Sequence, residues 1–256
     1  MKPFRVIPII FLLASFGCTR TPEASLPEGL SVEEYPLKRA PEAESNELNF
    51  ADPAQADPRL LHADELSESF NWDDWACPHV DGNIYLTMCS TLGTDILGAG
   101  EEYDNPEEGH VILTRNGEEI YRISVGHASP VNGLRGLWVY DDHWALEAAY
   151  VTLDAEDFVT GQITVDGNLL NEQYGYEEAF GFQTIASKPF YFYQKDGKIH
   201  ANYAGTDITL GYDEILHYGC CSASSLNPWI YKNMVDFFGR KGETWYFGEI
   251  GVFDQP

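Results

Sequence analysis

The stretch HVILTRNGEEIYRISV, His110 to Val125, alternates apolar and polar residues on both sides of Asn116-Gly117. Period-two alternation marks a half-buried strand, and Asn-Gly suits a two-residue turn whose central residues both need positive φ. The stretch reads as a β-hairpin. The same pattern recurs along the chain. PFYFYQKDGKIHANY (189–203) turns at Asp196-Gly197, and MVDFFGRKGETWYFGEIGVF (234–253) turns at Lys241-Gly242. LWVYDDHWALEAAY (137–150) turns at Asp141-Asp142, and VDGN occurs at both 80–83 and 165–168.

These hairpins predict a mainly β fold of antiparallel hairpins and meanders. The turn glycines 82, 117, 167, 197 and 242 lie on average about 40 residues apart, within the range of propeller blades but unevenly spaced. A propeller-like ring of four blades at most and a twisted sandwich both fit this pattern. Helix signal is confined to Asn227-Pro228, where proline at the first helical position would start one or two turns through WIYKNM.

The N-terminus, MKPFRVIPIIFLLASFGCTR, follows a different logic. Lys2 and Arg5 precede an uncharged apolar run, Val6 to Phe16, closed by Gly17-Cys18. A basic start, a short apolar run and a small residue before the cut describe a secretory signal over residues 1–17. The run is too short to span a bilayer, which needs about 20 apolar residues. Cys18 after Gly17 resembles the lipid-attachment cysteine of bacterial lipoprotein precursors, a resemblance carried by the N-terminus alone. It implies a protein held by lipid on the outer side of a bacterial membrane, with plain secretion as the alternative. Residues 18–66 are rich in proline and carboxylates and hold only Tyr35 and Phe50 as aromatics. Such a segment buries too little to offset its ordering entropy, so a disordered acidic tether is expected. Residues 67–256 carry 30 of the 35 aromatics and form the expected single β domain.

The formal net charge is −26. A surface this acidic repels phosphate backbones, which argues against a nucleic-acid partner. Neutral or cationic ligands remain compatible. No H-E-x-x-H, G-x-S-x-G, P-loop, G-x-G-x-x-G or EF-hand loop is present, so no catalytic residue and no cofactor is identified.

Three groups of residues still invite chemistry. In EEYDNPEEGH, Glu101, Glu102, Asp104, Glu107 and Glu108 offer oxygen ligands of the kind Ca²⁺ takes, although the spacing matches no calcium loop. In NGLRGLWVYDDHWALE, Arg135 lies between glycines. There Trp138, Tyr140 and Trp144 offer stacking faces, and Asp141, Asp142 and His143 add polar groups. Aromatic faces beside carboxylates suit a sugar, with its apolar ring face and hydroxyl edge. A glycosidase-like hydrolase would need carboxylates about 5–10 Å apart across a cleft, which the adjacent Asp141 and Asp142 do not supply. The third group is cysteine. With Cys18 set aside, Cys77, Cys89, Cys220 and Cys221 form an even set, as expected of disulfides in an exported chain, with three possible connectivities. Bridging adjacent Cys220 and Cys221 requires a turn, because neighbouring Cα atoms lie only about 3.8 Å apart.

These features point to a binding or interaction module for carbohydrate or another cell-surface ligand. A carboxylate-dependent hydrolase and a structural envelope protein are the alternatives.

Overall fold

The Asn116-Gly117 hairpin forms as its sequence dictates. Strands β4 (Glu108–Arg115) and β5 (Glu118–Gly126) pair antiparallel, and Asn116 and Gly117 turn the chain with φ of 53° and 86°. The structure is a computed structural model; it describes residues 26–41, 48–58, 77, 86–128, 132–153, 159–219 and 228–253.

The hairpin belongs to an eight-stranded sheet. Before it come β2 (Leu86–Leu92) and β3 (Asp95–Asn105); after it come β6 (Leu134–Tyr140), β7 (His143–Val151), β8 (Val159–Val165) and β9 (Asn168–Leu169). Two meanders merge here, because β5 meets β7 through one parallel pair, Gly126 with Val151. The second sheet is a four-stranded meander of β10 (Glu178–Ile185), β11 (Lys188–Lys195), β12 (Lys198–Tyr203) and β13 (Thr206–Tyr212). The third runs β1 (Ser31–Pro36), β17 (Thr244–Gly251), β16 (Met234–Lys241) and β14 (Glu214–Ile215), with β15 (Trp229–Ile230) also on β16.

The fold is mainly β and antiparallel, as the alternation implied, but the described residues form no closed propeller. Blades of equal size would be needed, and sheets of eight, four and five strands do not provide them. Both faces of the four-stranded sheet are covered. Phe180, Phe190 and Phe192 enter a core shared with Phe237 and Ile250 of the third sheet. Phe182, Tyr191 and Tyr193 enter a core shared with Trp138, Ala145 and Ile163 of the first.

Two expectations are corrected. The segment 18–66 is not a tether throughout, because Ser31–Pro36 is β1 and pairs with β17 from Ser31↔Gly251 to Pro36↔Tyr246. Residues 48–51 fold back over it: Phe50 bridges to Leu37 and packs edge-on against Tyr35. The helix expected after Pro228 is a strand instead, since Trp229 and Ile230 pair with Asp236 and Val235 on β16. The helix described, α1 (Leu170–Tyr174), follows β9 and is closed by Gly175 in the left-handed conformation. Of the three cysteine connectivities, the structure has the one that joins Cys77 to Cys89, with Cα atoms 4.7 Å apart, so neither pairs with Cys220 or Cys221. The signal segment, Cys18, Cys220, Cys221 and the first VDGN lie outside the described residues.

Candidate functional site

The sequence leads to one unusual strand. In β7 the apolar run WALEAAYV is interrupted by Glu147, which is buried. A buried carboxylate needs donors, and they come from an irregularity in β10. The pairing of β10 with β11 shifts between Phe180 and Gln183, where Gly181 takes φ of 65°. A bulge turns backbone N–H groups away from the ladder. Two of them point at Glu147: Gly181 N–H donates to Oε1 at 3.1 Å and Phe182 N–H to Oε2 at 2.6 Å. The Tyr218 hydroxyl donates to the same Oε1 at 2.5 Å. Arg135 on β6 lies over the Tyr218 ring, 4.7 Å from its centroid.

The electrostatics are balanced. Burial pushes the Glu147 carboxyl up, while the Tyr218 hydroxyl, the Phe182 and Gly181 N–H groups and the Arg135 charge pull it down; burial prevails. Burial first, then the Glu147 charge, pushes the Tyr218 hydroxyl well above its ordinary range.

One turn of the ladder away, the two sheets nearly touch. A Cβ on Gly161 of β8 would lie 2.4 Å from the Ala179 carbonyl oxygen and 2.8 Å from the Tyr218 hydroxyl, so only glycine fits. Gly161 N–H donates to Glu178 Oε1 at 2.7 Å, and that oxygen also meets His217 Nε2 at 3.0 Å. His217 Nδ1 lies 2.6 Å from the Ile215 carbonyl oxygen. The imidazole lies flat on the Phe180 ring, with centroids 3.7 Å and planes 8° apart. Both ring nitrogens therefore face an oxygen, and the doubly protonated imidazole satisfies both contacts at once. Burial alone would lower the His217 pKa; the Glu178 charge and hydrogen bond, the Ile215 carbonyl and the Glu147 charge outweigh it and raise it.

Above this ion pair opens a cleft of about 850 Å³. Val159, Ile199, Ile215 and Leu216 supply its aliphatic wall, and Glu177, Glu178, Gln194, His217 and Arg240 its polar lining. Its charges are largely paired within the protein. Glu178 holds His217, Arg240 Nε holds Glu214 at 3.0 Å, and Asp213 pairs with Lys198 and accepts from Gly242 N–H.

Of the residues that the sequence singled out, only Arg135 joins this site. Trp138 and Trp144 are each 7% exposed. Trp138 packs on Phe182 and Trp144 on Tyr121, so neither offers an open stacking face. Tyr140 is half-buried against Phe182 and His143, its hydroxyl pushed up to about 12 by burial and by the charges of Asp166 and Asp141. Asp141 and Asp142 are exposed turn residues. His143 Nδ1 meets Asp166 Oδ2 at 2.5 Å, while Asp166 Oδ1 accepts from Trp144 N–H. Asp166 thus ties the 141–142 turn to the 166–167 turn, which is a structural role.

The five carboxylates weighed for Ca²⁺ are not gathered. Glu101 and Glu102 are strand neighbours and point to opposite faces. Glu101 accepts from Leu134 N–H and the Tyr103 hydroxyl, and Glu102 pairs with Arg122 at 2.9 Å. Asp104, Glu107 and Glu108 are exposed around the turn that follows. Among the described residues no group of three acidic, histidine or cysteine side chains is placed to hold a metal ion.

Glu147, Glu178, His217 and Tyr218 are not among the residues that the sequence singled out. The available signal was the lone charge inside an apolar strand. A scan against models of protein families finds no match for the chain, and a search of curated proteins finds none.

Proposed function

We propose that this chain is an exported binding module, held to a membrane by lipid on Cys18, whose ligand is a neutral hydroxyl-rich molecule of the saccharide class. The observation that carries the reading is the cleft over Glu178 and His217. Its volume of about 850 Å³ is that of a small-molecule site. Apart from Glu177, its charged lining groups are paired internally, so a charged ligand has little free counter-charge to meet. The oxygens of Glu177, Glu178 and Gln194 are fixed acceptors for hydroxyl groups, and Val159, Ile199 and Leu216 suit the C–H face of a sugar ring. Binding needs no catalytic group, and while both ring nitrogens carry protons His217 has no lone pair with which to act as a base.

The test is a glycan array probed with the full chain, beside Gln194→Ala and Thr160→Ala, two cleft residues outside the ion pairs. Wild type is expected to retain a subset of glycans, and each variant to bind them roughly fivefold more weakly, as befits one lost hydrogen bond. Failure of the wild type to retain any glycan would remove the reading.

A further inference from the structure

We propose that His217 is a pH-sensitive latch: while its imidazole carries both protons, it holds the Leu216–Gly219 wall of the cleft against β10. This deepens the binding reading of the same cleft and rests on it for its functional meaning.

The wall leaves β14 and is fastened at three successive residues. Leu216 N–H donates to the Phe238 carbonyl on β16 at 3.0 Å. His217 reaches Glu178 on β10, and Tyr218 reaches Glu147 on β7. The first and third fastenings use donors that keep their proton across the physiological range. Only the second depends on a donor that titrates there. A neutral imidazole has one N–H. The other nitrogen would then present a lone pair to an oxygen lone pair, either at Ile215 or at Glu178. One attractive contact becomes repulsive, and the stacking of the ring on Phe180 opposes its turning away to escape it. Loss of the proton therefore frees the wall at its middle fastening.

The groups that face His217 set the pH at which this happens. Glu178 on β10 and Glu147 on β7 are carboxylates that retain the proton. Arg135 on β6 is a cation that lies over the ring of Tyr218, the next residue of the wall. Tyr218, on the same wall, stays neutral. The folded pKa lies above the ordinary histidine value. The fastening is thus fully present below about pH 6.5 and is lost as pH rises through the folded value. The wall is closed in acid and released in alkali.

The experiment is an NMR titration of the His217 ring, assigned by its loss in His217→Gln, alongside amide hydrogen exchange of residues 216–219 corrected for intrinsic rate. Wild type is expected to show a His217 midpoint above the ordinary value, with protection of 216–219 falling roughly tenfold across it. His217→Gln, which keeps a donor and cannot titrate, is expected to show no such step. Glu178→Gln, which removes the facing charge, is expected to lower the midpoint. An ordinary midpoint in wild type overturns the proposal, as does protection at 216–219 that ignores the titration. No ligand enters these measurements. A latch that titrates in a protein that binds no glycan would therefore refute the binding reading alone.

Discussion

Asp236 on β16 and Glu249 on β17 are direct cross-strand partners, and both carboxyl groups are buried. Glu33 on β1 is the next residue in the same row, so three acidic side chains share one face of three adjacent strands. Two carboxylates this close inside a core cannot both ionise cheaply, and the pair holds a proton.

That proton makes stability depend on pH. Burial, then the charges of Asp236 and Glu33, push Glu249 up to about 8 from an ordinary 4.5; the Tyr35 hydroxyl offsets part of this and Asp57 adds to it. Between those values the folded chain binds more protons than the unfolded one, so stability falls as pH rises across that window. Glu249→Gln keeps the neutral shape. It is expected to be more stable than wild type by about 3 kcal/mol at alkaline pH, with the difference vanishing in acid. Urea unfolding of both proteins at several pH values measures it, and a pH-independent difference would count against a shared proton.

Glu147 is the joint between the eight-stranded and four-stranded sheets. Replacing it with alanine would strand two bulge N–H groups and the Tyr218 hydroxyl and leave Arg135 uncompensated. Glu147→Ala is expected to cost about 3–5 kcal/mol. Glu147→Gln should cost less, because one acceptor oxygen remains, and Tyr218→Phe only about 1 kcal/mol. Chemical denaturation gives the order directly. Equal losses in all three variants would mean that the carboxylate is a bystander.

Membrane attachment has a separate test. Cys18→Ala is expected to move the protein from the membrane fraction to the soluble one, because a signal segment of this length cannot serve as a span. Unchanged retention in the membrane fraction would rule out the lipid.

Particular residues explain which features could be read in advance. Asn116-Gly117, Asp196-Gly197 and Asp166-Gly167 announce their hairpins because these types tolerate positive φ. Ala186-Ser187 makes the same kind of turn with φ of 49° and 62°, and nothing in those side chains asks for it. Its geometry is imposed by the pairing of β10 with β11 on either side. β1 was hidden by composition, since an edge strand reading SVEEYP resembles the acidic segment around it. Trp138 and Trp144 misled for another reason. β6, which carries Trp138, and β7, which carries Trp144, each bury consecutive residues, so alternation cannot tell an inward tryptophan from an outward one. The site was illegible as a constellation, because Glu147, Glu178 and His217 meet only once two sheets and a loop have packed.

The ladder from Ser31↔Gly251 to Pro36↔Tyr246 has a consequence for the order of assembly. β1 precedes every other described strand, and its ladder partner follows them all. As the polypeptide emerges, β1 has no template until the whole of the intervening chain has been made. A contact of such long range is slow to form, and the waiting strand is exposed to wrong partners in the meantime. A product broken off before residue 244 would keep its opening strand unmatched. β1 thus acts as a seal that only a body extending through β17 can accept.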